Sequence, residues 1–562
     1  MGVREFISPL LSSCQFFSGL LHYEMIKNKF GHIALEIDQR LANLTPQSQS
    51  GELKVTEAEF FHAIKGYRLD ESLVLFSDIS KKIFCDEYPK EWHRMSRGGI
   101  RHPCGIFITQ FAIEYFSNAI IVSGSNNWKK ESLKSKDNIL GLFNIYHNGL
   151  TQVRSKHGIC SLLIPMFFEQ FVSQAEPKDV FTRQWYMFYK INRKFDGQTF
   201  DNLSEIFLKQ IGLSILEYTK LCFLIYATII TSPRFNIGKL TGSNIKGLDD
   251  VLNEEKMSTF LNFVSADYDL IRKLDRNVNG VLDPNFTKTR FNPLWLKPII
   301  RMGENDYLAP SITAYMTSTF KGLFWWFDSY FRKHSLAKVN RFRSYFGSLF
   351  EEYVGDVIKD IYVFDKVLPQ INYGTKKTGG KFFDWIVETK TKTFLFEVKA
   401  YQFPLDVLQK GDDEKIRIEV VNKIVNTIIQ MFKRVGDING FESLSHLRSK
   451  NAVPIAVFYD IPFISTPMYQ ENILPALISL EHKYPGIKDF KYYMMSIEEL
   501  EDYYYVSDQI DIDNILKEVN KNAQTGFRAE LAKINGGKLN VRKNILDRAF
   551  NEYCSGVIGV SN

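Results

Sequence analysis

Apolar residues recur at helical spacing through most of the first half of the chain. Phe111 and Tyr115 follow this spacing, and the segment 208–231 continues it. Such spacing is the pattern of helices that bury one face. Polar stretches that contain glycine interrupt the pattern, as at residues 124–137, and these are typical of loops. The pattern therefore predicts a mainly α-helical region over residues 1–285.

The pattern changes after residue 335, where short runs rich in β-branched and aromatic residues replace the long helical periods. Such runs are typical of strands. The predicted order is one helix, three strands, a long helix and a further strand. The corresponding segments are residues 344–361, 362–368, 382–387, 393–400, 415–435 and 452–459. This order predicts an α/β domain with a mixed sheet flanked by helices.

A polar stretch at residues 275–286 predicts a turn between domains, because it combines Asp, Asn, Gly and Pro. It also resembles the start of a calcium-binding loop, but Phe286 stands where that loop requires a glutamate. Residues 520–562 carry seven Lys and Arg against three Asp and Glu. The predicted organisation is a helical region over 1–285, a connecting segment over 286–335, the α/β domain over 336–505, and a basic, helical C-terminal segment over 506–562.

Length and composition describe an ordinary globular protein of several domains. At roughly 100–200 residues per domain, a chain of 562 residues predicts two to four of them. Apolar residues make up 45% and charged residues 24%, which excludes disorder as the main state of the chain. The net charge of +6 is compatible with a nucleic-acid partner and is too small to demonstrate one.

Cysteine usage and hydropathy predict a cytoplasmic protein with no membrane segment. The six cysteines show no C-x-x-C pair and no dense pattern of the kind that disulfide-rich secreted domains have. Residues 1–21 carry Arg4 and Glu5 and lack a clear signal-peptide cleavage site. The longest apolar stretch, residues 221–231, is shorter than the ~20 residues of a spanning helix, so we expect a buried helix there.

Three charged residues lie within two otherwise apolar predicted strands, residues 382–387 and 393–400. Asp384 lies in the first strand, whereas Glu397 and Lys399 lie two positions apart in the second and so share one face. A hairpin that turns about residues 390 and 391 places Asp384 opposite Glu397, although other turn lengths are compatible with the sequence. Two carboxylates in apolar surroundings suit a divalent cation, and oxygen ligands favour Mg²⁺ or Mn²⁺.

A lysine beside such a cation can orient the attacking water or neutralise developing charge. The alternative interpretation is structural. In that case Asp384 and Lys399 are charges at strand ends, and Glu397 and Lys399 form a surface ion pair.

These residues resemble the catalytic pattern of the PD-(D/E)xK nuclease superfamily, whose fold is that of many restriction endonucleases and resolvases. The superfamily pattern is an acidic helix, a β-hairpin that bears D…(D/E)-x-K, and then a helix and a strand. The resemblance covers residues 340–505, with Phe383 in place of the proline of the pattern's name. It implies a restriction-endonuclease-like α/β fold in which Asp384 and Glu397 bind Mg²⁺ or Mn²⁺ and Lys399 positions or activates water.

The superfamily often carries a glutamate on the helix before the hairpin, and the resemblance selects Glu351 for this role. It implies that Glu351 binds a second metal ion or holds a metal-bound water. At about 100° per residue, Glu351 lies at the edge of the helix's apolar stripe and Glu352 points to solvent. The stripe consists of Phe346, Phe350, Val354, Val357 and Ile361.

Further candidates lie on the helix after the hairpin and in the loop before it. Many superfamily members carry Gln or Lys facing the site, so Gln430 and Lys433 are candidates for accessory roles, with an ordinary polar helix face as the alternative. The glycine-rich loop contributes Lys376, Lys377 and Lys381, which we predict to contact nucleic-acid phosphates. A solvated loop without a ligand is the alternative there.

The resemblance implies metal-dependent hydrolysis of phosphodiester bonds, with DNA as the favoured substrate and RNA as the alternative. The sequence contains no G-x-x-x-x-G-K-[ST], so a motor would be a separate ATPase. The large helical region suits sensing, a partner protein or homo-oligomerisation, and the layout suits bacterial defence against phage or foreign DNA. The rival interpretations are a partner-dependent transposition or recombination endonuclease, and a non-catalytic nucleic-acid-binding or scaffold protein that retains the fold.

Overall fold

The described part of the chain is mainly helical up to residue 334. The computed structural model describes residues 57–90, 92–96, 99–102, 107–127, 129–133, 139–143, 145–146, 176–195, 202–241, 245, 247–280, 291–334, 341–363, 365–374, 380–402, 413–448, 451–459, 472–508, 510–521 and 544–557. The helices of the first part are α1 (Glu57–Lys65), α2 (Leu69–Phe84), α3 (Gln110–Ser123), α4 (Pro177–Trp185), α5 (Asn192–Phe195), α6 (Leu203–Ile211), α7 (Ile215–Thr231), α8 (Ile237–Thr241), α9 (Glu254–Val264), α10 (Tyr268–Asn279), α11 (Ile312–Phe320) and α12 (Gly322–His334). A π-helix, Tyr186–Ile191, joins α4 to α5, and a 3₁₀ turn covers Pro293–Trp295.

Two small sheets accompany these helices. Their strands are β1 (His93–Ser96), β2 (Gly99–Arg101), β3 (Phe107–Thr109), β4 (Arg234–Asn236), β5 (Ser265–Ala266), β6 (Ile299–Arg301) and β7 (Asp306–Leu308). The first sheet has the order β1-β2-β3 and the second the order β4-β7-β6-β5. Because β6 and β7 pair with strands on both sides, the segment predicted as a connection, 286–335, supplies the middle of a sheet and also the helices α11 and α12.

The polar stretch at residues 275–286 begins inside a helix. Asp275 and Asn279 belong to the last turns of α10, where Asn279 Nδ2 donates a hydrogen bond to Asp275 Oδ1 at 2.9 Å. The helix ends at Gly280, whose φ of 67° is favourable for glycine and strained for other residues. The predicted turn thus begins at Gly280, and residues 281–286 lie outside the described part of the chain.

The second part of the chain contains the predicted α/β arrangement. Its helices are α13 (Arg341–Ile361), α14 (Asp413–Gly440), α15 (Leu474–Leu480), α16 (Ile497–Tyr503), α17 (Ile512–Lys521) and α18 (Ile545–Glu552). Its strands are β8 (Lys366–Pro369), β9 (Asn372–Tyr373), β10 (Gly380–Lys381), β11 (Trp385–Glu388), β12 (Lys392–Lys399), β13 (Asn451–Phe458) and β14 (Tyr493–Ser496). Short 3₁₀ turns cover Glu442–Leu447, Ile487–Asp489 and Tyr504–Val506, and a π-helix covers Tyr553–Val557.

The central sheet of this part has five strands in the order β14-β13-β12-β11-β8. Strand β12 runs parallel to β13, and β13 runs parallel to β14, whereas β11 is antiparallel to both β12 and β8. The prediction of a mixed sheet flanked by helices is therefore confirmed. Alternate side chains of β12 enter different cores: Phe396 packs in the core that includes Val354 of α13, and Leu395 in the core that includes Ile428 of α14.

The first and second parts of the chain are joined by buried polar contacts as well as by a shared apolar core. Arg183 of α4 forms two hydrogen bonds with the Glu501 carboxylate of α16, at 2.8 and 2.6 Å. The hydroxyl of Tyr353 donates to the same carboxylate at 2.6 Å. Lys178 of α4 contacts Asp547 of α18. Helix α13, which contains Tyr353, is thus held from the side opposite the central sheet.

Hydropathy and cysteine chemistry bear on two of the predictions. Helix α7 is buried along most of its length, as predicted for residues 221–231. Among the described residues no single helix meets the length and hydropathy needed to cross a bilayer, whereas α6 and α7 meet them only when taken together, across a bend of 64°. The cysteines within the described residues, Cys85, Cys222 and Cys554, form no disulfide.

Helix α13 lies so close to β11 that only glycine fits at the crossing. A Cβ placed on Gly355 would lie 2.0 Å from Trp385 Cζ2, whereas a Cβ on Gly347 of the same helix would meet nothing within 4 Å. We expect Gly355→Ala to lower the free energy of unfolding by about 1–3 kcal/mol, since overpacking outweighs the gain in helix propensity. Gly347→Ala should instead raise it by about 0.5–1 kcal/mol. Urea denaturation measures both, and equal stability of the two variants would contradict this packing.

Candidate active site

The β11–β12 hairpin has the register that places Asp384 opposite Glu397. Trp385 pairs with Phe396 and Glu388 with Thr393, so the hairpin turns about residues 390 and 391 as predicted. Asp384 directly precedes β11 and is 8% exposed. Its Oδ2 accepts a hydrogen bond from Val398 N at 2.7 Å, which ties the carboxylate to β12. This pairing excludes the other registers that a different turn length would give.

A glutamine outside the hairpin holds the second oxygen of Asp384. Gln370, immediately after β8, donates from Nε2 to Asp384 Oδ1 at 3.0 Å. Strand β8 pairs with β11 on the side away from β12, which brings Gln370 beside Asp384. This contact was not predicted, because the pairing of β8 with β11 is not visible in either strand alone.

Glu397 and Lys399 share one face of β12 and contact each other. Lys399 Nζ donates to Glu397 Oε1 at 2.5 Å. Glu397 is nearly inaccessible, with a side chain 1% exposed, whereas the Lys399 side chain is 28% exposed. The carboxylate is thus withdrawn into the protein, and the ammonium group lies between it and solvent.

Helix α14 covers this face and supplies two further polar groups. Gln430 Oε1 accepts a hydrogen bond from Lys399 Nζ at 2.9 Å. Arg434, one turn later, donates from Nη1 to Glu397 Oε2. The Arg434 side chain is only 12% exposed, and its guanidinium lies 5.9 Å from the centre of the Phe383 ring. The structure therefore brings Gln430 to the predicted site and adds Arg434, which the sequence analysis missed.

Helical phase could have identified Arg434. From Gln430, a residue four positions later lies about 40° around the helix, whereas one three positions later lies about 60° away in the other direction. Lys433 accordingly points elsewhere: its Nζ lies 4.9 Å from the centre of the Tyr484 ring. The structure does not bring Lys433 into contact with Glu397 or Lys399.

Glu351 approaches the same carboxylates from α13, on the other face of the sheet. Trp385 Nε1 donates to the backbone carbonyl of Glu351 at 2.9 Å, which fixes this turn of the helix against β11. Burial raises the pKa of Glu351 to about 7, and the charges of Asp384 and Glu397 contribute to the increase. The Glu351 carboxyl group is therefore near enough to Asp384 and Glu397 for their charges to affect it.

The neighbouring Glu352 has a different environment. It is half-buried and forms an ion pair with Lys194 at 3.0 Å. The helical phase instead predicts a solvated acid at this position. The ion pair was not foreseen because Lys194 lies 158 positions earlier in the chain.

Burial also raises the pKa values of the two hairpin carboxyl groups. For Asp384, the hydrogen bond from Val398 and the charge of Lys399 oppose the increase. For Glu397, the charge of Asp384 adds to the effect of burial, and Lys399 and Arg434 oppose it. Mutual repulsion between the carboxylates is therefore only partly relieved by the cations around them.

The donor groups fit Mg²⁺ or Mn²⁺ in kind, because they are clustered carboxylates whose ionisation a divalent cation would favour. Asp384 and Glu397 would hold such an ion, and Glu351 is the third candidate. As they stand, the described residues contain no three Asp, Glu, His or Cys side chains gathered around a single point. A cation at Glu397 would compete with Lys399 and Arg434 for its oxygens.

The predicted phosphate-binding lysines can be placed only in part. Lys381 lies in β10 and is exposed. Its positive charge opposes the rise in the pKa values of Glu351 and Asp384. It therefore lies at the edge of the carboxylate cluster. Lys376 and Lys377 lie outside the described residues.

Comparison with known proteins gives no further guide to this site. No family model, no curated protein and no solved structure matches the chain significantly. The resemblance to the PD-(D/E)xK nucleases therefore depends on the residues named above and on their arrangement.

The raised pKa of Glu351 predicts a pH-dependent stability difference between wild type and Glu351→Gln in the presence of EDTA. A carboxyl group whose pKa rises from 4.5 to about 7 on folding favours the protonated native state, so wild-type stability should fall as pH rises between these values. Gln mimics the protonated form. We expect Glu351→Gln to be more stable than wild type by about 1–2 kcal/mol at pH 8, after allowance for solvent screening, and equally stable near pH 4.

Glu352→Gln is the matched control, because it changes the neighbouring residue and the same charge. Its surface ion pair with Lys194 predicts a loss of about 0–1 kcal/mol without a gain at high pH. Urea denaturation between pH 4 and 8 measures both variants. A gain in Glu352→Gln in place of Glu351→Gln would show that the helix is rotated from the position described.

Proposed function

We propose that this protein is a metal-dependent nuclease of the PD-(D/E)xK type, with a restriction-endonuclease-like domain between residues 336 and 505. The observation that carries the proposal is the register that sets Asp384 opposite Glu397, with Lys399 bonded to Glu397 and with Glu351 near enough for the charges of both carboxylates to raise its pKa. The mixed sheet between α13 and α14 is compatible with that fold.

The proposed reaction is hydrolysis of a phosphodiester. Water attacks phosphorus, the bond from phosphorus to the leaving oxygen breaks, and that oxygen takes up a proton. Mg²⁺ or Mn²⁺ bound by Asp384 and Glu397 would polarise the phosphodiester and lower the pKa of bound water. Glu351 would bind a second ion or hold a water that belongs to the first.

The position of Lys399 supports the proposed chemistry. Its ammonium group lies at the solvent-facing side of Glu397 and is oriented by Gln430. There it can orient the attacking water or stabilise the charge that develops on the phosphate oxygens. Gln430 is then a positioning residue, since it acts through Lys399. Arg434 neutralises Glu397 from the protein interior.

DNA is the proposed substrate because of the resemblance to the superfamily. The proposal does not depend on a residue that recognises a 2′-hydroxyl. The helical region before residue 336 is proposed to control the nuclease, through a partner protein, a separate ATPase or self-association. A cytoplasmic role in bacterial defence against phage or foreign DNA suits this organisation. A transposition or recombination endonuclease would use the same site with a different partner.

One observation favours a second candidate, a non-catalytic nucleic-acid-binding protein. Both oxygens of Glu397 accept hydrogen bonds from cations, Lys399 and Arg434. Asp384 and Glu397 together match the charges of Lys399 and Arg434, and such a set can serve as a buried structural network without a metal ion. In that case the protein would retain the fold and bind nucleic acid without cleaving it.

Incubation of the purified protein with plasmid, single-stranded DNA and RNA distinguishes the two candidates. The nuclease proposal predicts cleavage in Mn²⁺ or Mg²⁺ and none in EDTA, with DNA cut in preference to RNA. Binding of the same substrates without cleavage under every metal condition would favour the second candidate.

A further inference from the structure

Two lysines meet at one tyrosine ring on the surface beside α14. Lys433 Nζ lies 4.9 Å and Lys483 Nζ 5.4 Å from the centre of the Tyr484 ring. Both lysines are exposed, and Tyr484 is half-buried. Hydrogen bonding by Lys433, together with the charges of both lysines, lowers the pKa of the Tyr484 hydroxyl. Both lysine side chains thus lie at the surface and contact the same ring.

The surroundings of this lysine pair differ from those of Lys366 and Lys392, two lysines of the central sheet that have acidic partners. Within the described residues, neither Lys433 nor Lys483 forms an ion pair with a carboxylate. By contrast, Lys366 pairs with Glu388, and Lys392 pairs with two aspartates. No carboxylate among the described residues neutralises the charges of Lys433 and Lys483, so an anion bound at this surface would gain from both.

The position of the pair on α14 connects it with the candidate active site. Lys433 lies between Gln430 and Arg434, which contact Lys399 and Glu397. Residues three apart on a helix have Cβ atoms about 5–6 Å apart. The segment that contains Lys483 is held against α14 by Phe432 and Phe490, whose rings lie 5.4 Å apart.

We propose that Lys433 and Lys483 bind the phosphate backbone of a nucleic-acid strand that passes the candidate active site, with Tyr484 holding the two ammonium groups in place. This inference rests on the proposed function and adds a binding surface to it. A backbone phosphate fits better than a small phosphorylated ligand, because both lysines are exposed and act as point charges. Contacts of this kind position a strand without reading its sequence.

Salt dependence of binding gives the sharpest test. The full-length protein is titrated into a fluorescently labelled single-stranded oligonucleotide in EDTA at increasing KCl, so that binding is separated from cleavage. Each lysine that neutralises a phosphate contributes about 0.7 to the slope of log K against log salt. Lys433→Ala with Lys483→Ala should therefore reduce the slope by about 1.4 and weaken binding most at low salt.

The matched control is Lys82→Ala with Lys209→Ala, which removes the same charge from exposed positions on α2 and α6. It should leave the slope close to that of wild type. Tyr484→Leu keeps the net charge but removes the ring, so it should weaken binding at low salt by less than the double lysine variant. Inorganic phosphate at matched ionic strength should not displace the strand, whereas displacement would indicate a site for the free anion.

The inference is overturned if the double lysine variant keeps the wild-type slope, if the control pair loses as much, or if the protein binds no nucleic acid. Cleavage of the same oligonucleotide in Mn²⁺ separates this result from the proposed function. Binding through the two lysines without cleavage would retain the inference and remove the nuclease proposal. Cleavage that is independent of the two lysines would retain the nuclease proposal and remove the inference.

Discussion

Asp384→Asn and Glu397→Gln are each expected to abolish phosphodiester cleavage in the presence of Mg²⁺ or Mn²⁺. Each substitution removes one of the two carboxylates proposed to hold the cation. Metal ions supply several kcal/mol of transition-state stabilisation, so the rate should fall by at least about 10³-fold. Asp384→Asn retains an oxygen that can accept the hydrogen bond from Val398 N, and we expect it to fold. Cleavage rates with urea denaturation alongside measure both effects.

Glu388→Gln is the control for this pair. Glu388 is the last residue of β11, which Asp384 directly precedes, and it forms an ion pair with the exposed Lys366 at the other end of the hairpin. Loss of this pair should leave the cleavage rate near that of wild type and change stability by about 0–1 kcal/mol. Full activity in Asp384→Asn or Glu397→Gln would remove these residues from the site.

Lys399→Met should lower the cleavage rate by about 10²–10³-fold, the loss typical of one electrostatic group in an active site. The reason is its position between Glu397 and solvent, with Gln430 fixing its ammonium group. Asp384 and Glu397 are unchanged in this variant, and Glu397 Oε1 loses the competing hydrogen bond from Lys399, so Mn²⁺ binding should persist. Calorimetric titration with Mn²⁺, compared with cleavage rates, separates a role in turnover from a role in charge balance.

The control is Lys366→Met, which removes a lysine from β8 of the same sheet, where it is largely exposed. It should alter neither Mn²⁺ binding nor cleavage. If Lys399→Met instead changes metal affinity and stability while turnover per bound metal is retained, then Lys399 only balances charge. Unchanged cleavage with normal metal binding would show that the E-x-K spacing at residues 397–399 has no catalytic meaning here.

The hairpin and its flanking helices could be predicted from sequence because their determinants are local. The polar turn between two apolar runs predicts a hairpin, and the register that places Asp384 opposite Glu397 is one of those that the sequence allows. The apolar stripe of α13 specifies which of Glu351 and Glu352 faces the sheet. These patterns operate over a few residues, and the structure retains them.

The remaining features depend on contacts between distant parts of the chain. Gln370 reaches Asp384 only because β8 pairs with β11, and Glu352 meets a lysine from a helix 158 positions earlier. The strands within 286–335 were missed for the same reason, since each is three residues long and is defined by its partners. Arg434 was not predicted, although its phase on α14 places it one turn from Gln430. The superfamily pattern carries Gln or Lys at this place, and it therefore selects Lys433.

The most direct test of the central claim compares plasmid DNA cleavage by purified full-length wild type and Lys399→Met. Each protein is assayed first in EDTA and then after addition of Mn²⁺. The account predicts no cleavage in EDTA, cleavage by wild type once Mn²⁺ is added, and a rate about 10²–10³-fold lower for Lys399→Met. Cleavage that is independent of the metal, or equal rates for the two proteins in Mn²⁺, would contradict it.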